Sequence, residues 1–144
     1  MNYHAVITRE GRNTLAKFPD CAGCQTFAEP GEDIKAQAQD ALEGWLRAHL
    51  IDGEAPPRPS ARSRCPKGAR LLGVEVTPKL AVRLAIRWAR QDAGLTQAQL
   101  AERAGVSQPQ IAKLEHPRAN PTIDTLEKVA RALGLRLEVA LTEV

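Results

Sequence analysis

Residues 95–117 read LTQAQLAERAGVSQPQIAKLEHP, and their spacing decides the fold of the last third of the chain. Thr96 is followed three positions on by Gln99, and Ser107 by Gln110. In such a pair the hydroxyl accepts a backbone N–H three residues on while the glutamine reaches back to the cap. Two short helices are therefore predicted, beginning at Thr96 and Ser107, with Gly105 in a tight turn between them. Pro109 falls in the first turn of the second helix, where its missing N–H costs little, and Pro117 closes that helix. Leu100, Ala101, Ala104, Val106, Ile111 and Leu114 are the apolar positions that would hold the two helices at a steep angle.

What remains outward on the second helix is Ser107, Gln108, Gln110 and Lys113. Glutamine suits bidentate bonding to adenine, and lysine donates to guanine or to phosphate. Gln97, in the first turn of the preceding helix, is placed to bond a phosphate and set the register. This is the arrangement of a helix-turn-helix, whose second helix lies in the major groove of DNA. The pattern TQ-x-x-LA-x-x-A-GVS-x-x-x-I-x-x-LE, within about residues 80–134, resembles the Cro/C1-type (Xre) helix-turn-helix family. That resemblance implies a dimer on a palindromic operator, with Gln97, Ser107, Gln108, Gln110 and Lys113 at positions that face DNA. His116-Pro117 stand where the family commonly has a glycine.

On either side of this stretch the helical period continues. Thr77-Pro78 caps a helix running to about Asp92, with Leu84 and Trp88 among its core residues. A further helix after residues 120–122 is predicted to bury Ile123, Leu126, Val129, Ala130 and Leu133, with Gly134 as its C-cap. The tail LRLEVALT (135–142) sets Leu135, Leu137, Val139 and Leu141 against Arg136, Glu138, Ala140 and Thr142. Strict alternation predicts a terminal strand, and its free edge makes those four apolar residues candidates for dimerisation.

The first half has a different grammar. Residues 2–8 and 14–18 are β-prone around the turn residues 10–13, and residues 25–27 make a third short strand. From about Glu32 the period turns helical, with Ile34, Ala38, Ala41, Leu42, Trp45, Leu46 and His49 on one face. Gly44 costs that helix about 1 kcal/mol against alanine, a loss that close packing on a sheet would offset. Residues 55–68, APPRPSARSRCPKG, hold four prolines and form an extended connection. Leu72, Val74 and Val76 alternate as a returning strand. The expected fold class is α+β: a small β-β-β-α-β domain over 1–78, then an all-α domain with a terminal strand over 79–144.

Charge divides the chain in the same way. Residues 1–54 carry five Lys/Arg against nine Asp/Glu, a balance of −4. Residues 55–70 hold five basic residues (Arg58, Arg62, Arg64, Lys67, Arg70) and no acid. An acidic front and a basic rear point to partners of opposite charge. Residues 80–89, the most apolar helical run, are broken by Arg83 and Arg87, so no membrane span is expected. The first residues show no secretory pattern, and a cytoplasmic location is expected. Cys21, Cys24 and Cys65 are then read as thiols, with Cys21-x-x-Cys24 lacking the second pair that a structural zinc site needs. His49 is read as a core-edge side chain, and no cofactor or metal is expected.

The motif FPDCAGCQTF (18–27), the helix bearing ALEGWL (41–46) and IDGEAPPRPS (51–60) resemble the HicB antitoxin family. With the helix-turn-helix, the resemblance covers essentially the whole chain. It implies a partial ribonuclease-H-like first domain without nuclease carboxylates. It also implies a HicA-like toxin partner that cleaves mRNA, and repression of the shared operon by a homodimer or tetramer. The residues agree that catalysis is absent: Asp20 is the one acid beside a strand end, whereas Asp33, Asp40 and Glu43 follow a helix. Two other readings remain at this stage: a dimeric repressor whose first domain senses a small ligand, and an enzyme with a DNA-binding tail.

Overall fold

A computed structural model of the chain describes residues 1–61 and 63–144. Arg62, one of the basic residues of the proline-rich connection, lies outside the described residues. The chain divides into two compact units, Met1–Ala81 and Val82–Val144. The division lies inside a helix, three residues beyond the boundary drawn from sequence.

The first unit is a four-stranded antiparallel sheet with one helix. Its elements are β1 (Asn2–Glu10), β2 (Asn13–Lys17), β3 (Gln25–Ala28), α1 (Ile34–Ile51) and β4 (Arg70–Glu75), and the strand order is β3-β2-β1-β4. β1 pairs with β2 on one side (Ile7 opposite Ala16) and with β4 on the other (Tyr3 opposite Val74). The strands alternate, so Tyr3, Ala5, Ile7, Ala16 and Val74 are buried with Ala38, Leu42, Leu46 and Leu50 of α1. Asp33 caps α1 by accepting the Lys35 N–H at 2.9 Å. The opposite face of the sheet is only partly covered: Leu15 is buried there and Val6 half-buried, whereas Phe27 is 56% exposed and Leu71, beside Val6, 36%.

In α1 the expectation for Gly44 is revised, and two further side chains stand where the periodicity alone does not put them. Gly44 is exposed, with nothing within 4 Å of where a Cβ would stand, so no close approach to the sheet explains it. Glu43 is buried instead, because its two oxygens are occupied by Arg47 (2.5 Å) and by the Thr77 N–H (2.8 Å). Trp45 is a half-buried flank that stacks on His49 at 3.7 Å between ring centroids, rather than a core anchor.

The described residues of the proline-rich segment form no helix or strand, and hydrogen bonds tie the segment to the rest of the unit. Tyr3 Oη donates to the Pro57 carbonyl at 2.6 Å, and the Asp20 carboxylate accepts from the Ser60 N–H (2.9 Å) and hydroxyl (2.5 Å). Cys21 and Cys24 are buried in the turn before β3, where the Cys24 N–H donates to the Cys21 carbonyl at 2.9 Å. Burial raises both thiols, Cys21 to about 12 and Cys24 to about 11, with Cys24 and Asp20 adding to the rise at Cys21. Burial likewise pushes the Tyr3 hydroxyl above its ordinary value.

The second unit comprises most of α2 (Pro78–Asp92), then α3 (Gln97–Ala104), α4 (Gln108–Glu115) and α5 (Ile123–Ala132). Its core is Ile86, Leu95, Leu100, Ala101, Ile111, Leu114 and Val129, with Val82, Ala104, Val106, Leu126 and Leu133 packed around it. Ile123 departs from expectation: as the first residue of α5 it is 63% exposed, while Val129 carries the burial. Residues 135–144 are not a strand in the single chain. A strand is completed by a neighbouring strand's hydrogen bonds, and among the described residues the tail leaving the left-handed Gly134 (φ 71°) pairs with no strand, its Leu135 N–H donating back to the Ala130 carbonyl at 2.8 Å. The α+β class stands, with the terminal strand removed from it.

Candidate nucleic-acid interface

Each of the two short helices is started by the reciprocal cap read from the sequence. Gln99 N–H donates to Thr96 Oγ1 (3.1 Å) while Gln99 Oε1 accepts the Thr96 N–H (2.9 Å). Gln110 N–H donates to Ser107 Oγ (3.3 Å) while Gln110 Oε1 accepts the Ser107 N–H (2.8 Å). Gly105 ends α3 in the left-handed region (φ 67°, ψ 33°), which turns the chain at once into α4. Leu100 and Ala101 of α3 face Ile111 and Leu114 of α4 in the core, so the reciprocal packing fixes which side of α4 looks outward.

That outward side presents Ser107, Gln108, Gln110 and Lys113, all exposed. They do not stand alike. Gln108 and Lys113 project without an intramolecular tie among the described bonds, whereas Ser107 and Gln110 are engaged in capping α4. Gln110 keeps its amide N–H groups for a ligand and spends its oxygen on the cap. Gln97 is half-buried, and its Nε2 donates to Glu115 Oε2 at 3.0 Å. Its side chain is thereby held at the start of α3 with its carbonyl oxygen turned to other donors.

Glu115 is the pivot of a buried ionic cluster that the sequence reading did not find. It is 1% exposed and bonds Arg87 at 2.7 Å and Arg90 at 2.5 Å in addition to Gln97. Arg90 also donates to the Leu95 carbonyl at 2.8 Å. Through these bonds the end of α4 is fastened to α2 and to the first turn of α3. Arg83, one turn earlier on α2, is fully buried and donates to the Leu114 carbonyl at 3.1 Å, while its Nε and Nη2 find no acceptor. Burial lowers the affinity of this guanidinium for its proton. The signal was present as arginines at 83, 87 and 90, the i, i+4, i+7 spacing of one helix face. It could not be read as an ion cluster because the opposing carboxylate, Glu115, is 25 residues or more away in sequence.

Beyond α4 a cleft of about 620 Å³ continues the exposed surface. Gln110 and Lys113 line it together with His116, Arg118, Asn120 and Thr122. The His116-Pro117 pair makes the loop compact: Pro117 is buried, and the Arg118 N–H donates to His116 Nδ1 at 3.2 Å. Arg118 and Asn120 are additions to the residues read from sequence, and both suit phosphate oxygens. In the first unit, Asp20 is occupied by Ser60 as described, and no group of three His, Cys, Asp or Glu among the described residues could hold a metal ion. No helix among the described residues is long and apolar enough to cross a membrane.

Comparison with known proteins agrees with this geometry. A helix-turn-helix family model matches residues 86–139. The chain is 31% identical over 127 residues to Antitoxin HicB 1 of Photorhabdus laumondii, which covers 88% of this chain and 77% of that protein. It is 43% identical over 58 residues to the immunity repressor protein of Bacillus phage phi105, spanning 40% of that protein's length. Among solved structures, the HicA3 and HicB3 toxin-antitoxin complex is similar over 54% of this chain and all of the matched chain, at 24% identity and a TM-score of 0.44.

Proposed function

The chain belongs to the HicB antitoxin family, and on that premise we propose that it neutralises a HicA-like toxin through its first unit and represses its own operon through its second. The observation that carries the DNA-binding half is α4, capped at its start and pinned at its end by Glu115, presenting Gln108, Gln110 and Lys113 on one exposed side. A two-turn helix held at both termini is a rigid reader for the major groove. Gln97, Arg118 and Asn120 then serve the phosphates on either side of the read bases.

The toxin-binding half is supported by identity that runs through both units, not the helix-turn-helix alone. It is supported also by the exposed Phe27 and Leu71 on the sheet face away from α1, the kind of apolar side chains that protein partners cover. We assign the protein no catalytic step: Asp20, the acid that the sequence singled out, is occupied in holding Ser60. Its place of action is the cytoplasm, where an operator and a translated mRNA are both found. Because one small helix-turn-helix binds weakly, the repressor is a homodimer, and Leu135, Leu137, Val139 and Leu141 are the residues that join it.

The test is co-expression with the product of the adjacent reading frame. The two proteins are expected to co-purify, the neighbour to arrest growth when expressed alone, and the chain to protect its own promoter in a footprint. A harmless neighbour that does not associate would overturn the antitoxin assignment, and an unprotected promoter the repressor assignment.

A further inference from the structure

The acids of the first unit are segregated along the chain. Glu10 is the only acid in residues 1–19, and residues 55–70 hold none. The end of the sheet where β1 finishes and β4 starts is built from those two stretches, and it gathers cations. Arg9 continues the row of Tyr3, Ala5 and Ile7 past the end of the core. Arg70 stands opposite Ile7, and Thr14 opposite Arg9. Arg9 and Arg70 are thus diagonal neighbours on one face of the sheet, about 7–8 Å apart. Both are exposed, and no ion pair among the described residues includes either. Glu10 alternates to the other face, where it lines a hollow with Val6 and Leu15. Glu29 follows Ala28, which lies opposite Thr14, so it stands two strands from Arg9, and Glu75 is at the far end of β4 opposite Asn2.

Arg9, Thr14 and Arg70 line a cleft of about 430 Å³, closed by Gly68 and Ala69 of the turn before β4. Arg12 in the hairpin turn and Lys67 beside Gly68 add two exposed cations at the same end of the sheet. Like charges on neighbouring strands repel, and an anion between them removes the repulsion. We infer that this cleft binds the phosphodiester backbone of a nucleic-acid strand, as a contact separate from the helix-turn-helix. Guanidinium forks match phosphate oxygens bidentately, and the Thr14 hydroxyl adds a donor beside them. Cations spread over two strands and two turns suit successive phosphates better than a single one. None of the described lining residues is aromatic, so bases are not stacked there and the contact follows the backbone whatever the sequence.

The test is fluorescence anisotropy of the full-length protein over a range of salt. The probes are a mixed-sequence single strand made as RNA and as DNA, and a duplex of the chain's own promoter with long flanks. Arg9→Gln/Arg70→Gln removes two cationic contacts. It is expected to cut the slope of log Kd against log salt by about 1.4 for a single strand, and to weaken binding at low salt about tenfold. Arg9→Lys/Arg70→Lys keeps the charge and should keep most of the slope. A loss confined to the RNA makes a transcript the ligand, a loss with both single strands makes it any unpaired strand, and a loss confined to the duplex makes it the operator's flanks. Equal slopes for wild type and Arg9→Gln/Arg70→Gln with all three probes overturn the proposal. So does a loss that persists in Arg9→Lys/Arg70→Lys and comes with a lowered melting temperature.

Discussion

Among the side chains aimed at DNA, Gln108 stands apart from Gln110. Gln108 has no structural duty, so Gln108→Ala is expected to weaken binding to the native operator by about 1–3 kcal/mol while leaving the melting temperature unchanged; a quantitative gel shift beside a thermal melt checks it. Gln110 is half reader and half cap, and the sequence showed both roles without saying that one side chain must share them. Gly44 yields the opposite kind of prediction. It sits exposed inside α1 with open space at its Cβ position, so Gly44→Ala should raise stability by about 0.5–1 kcal/mol in urea unfolding. The sequence located that glycine correctly, but the reason for tolerating it there was wrong, because periodicity places a residue near a face and not how near the facing surface comes.

Local signals of capping and turning are written within three or four residues, and they were legible. The elements from β1 to α5 stand close to where the pattern put them, and the helix-turn-helix core is the one expected. What the sequence hid are the ties between elements, since their partners are far apart in the chain. Glu115 joins α4 to α2 and α3 in this way. Glu115→Ala leaves the buried Arg87 and the half-buried Arg90 without this carboxylate, and a loss of about 3–5 kcal/mol is expected for the second unit. Chemical denaturation followed by far-UV circular dichroism would measure it. The turn before β3 gives a pH-dependent counterpart. Its thiols keep their protons to about 12 and 11 when folded but release them near the ordinary 9.0 when unfolded. Above that value the unfolded state holds fewer protons than the native one, so the first unit should lose stability progressively from about pH 9 to 12. Unfolding at graded alkaline pH should show a shallower decline in a Cys21→Ala/Cys24→Ala variant.

At the scale of the molecule, the sequence placed the proline-rich segment inside the first unit, and β4 follows it and closes the first sheet against β1 as the alternation of Leu72, Val74 and Val76 predicts. What the sequence did not show is that Tyr3 and Asp20 hold the segment in place. A fragment ending at residue 54 therefore lacks a strand and both anchors. It is expected to show no cooperative thermal transition, whereas a fragment ending at residue 81 shows one; calorimetry of the two distinguishes them. The terminal strand expected at 135–142 is absent, since a strand drawn by alternation needs a neighbouring strand, and the tail pairs with none among the described residues.

The pairing of β4 with β1 also sets the terms on which such genes can exchange parts. A crossover inside the codons for the proline-rich segment joins one protein's hairpin to another's returning strand, whose register and inward side chains were selected against a different β1. A crossover just after β4 passes on a finished sheet with a new regulatory arm. Lineages that trade operators while keeping their toxins should carry their junctions near residues 76–81, in the codons for the first turn of α2, and not in the stretch that looks most like a seam.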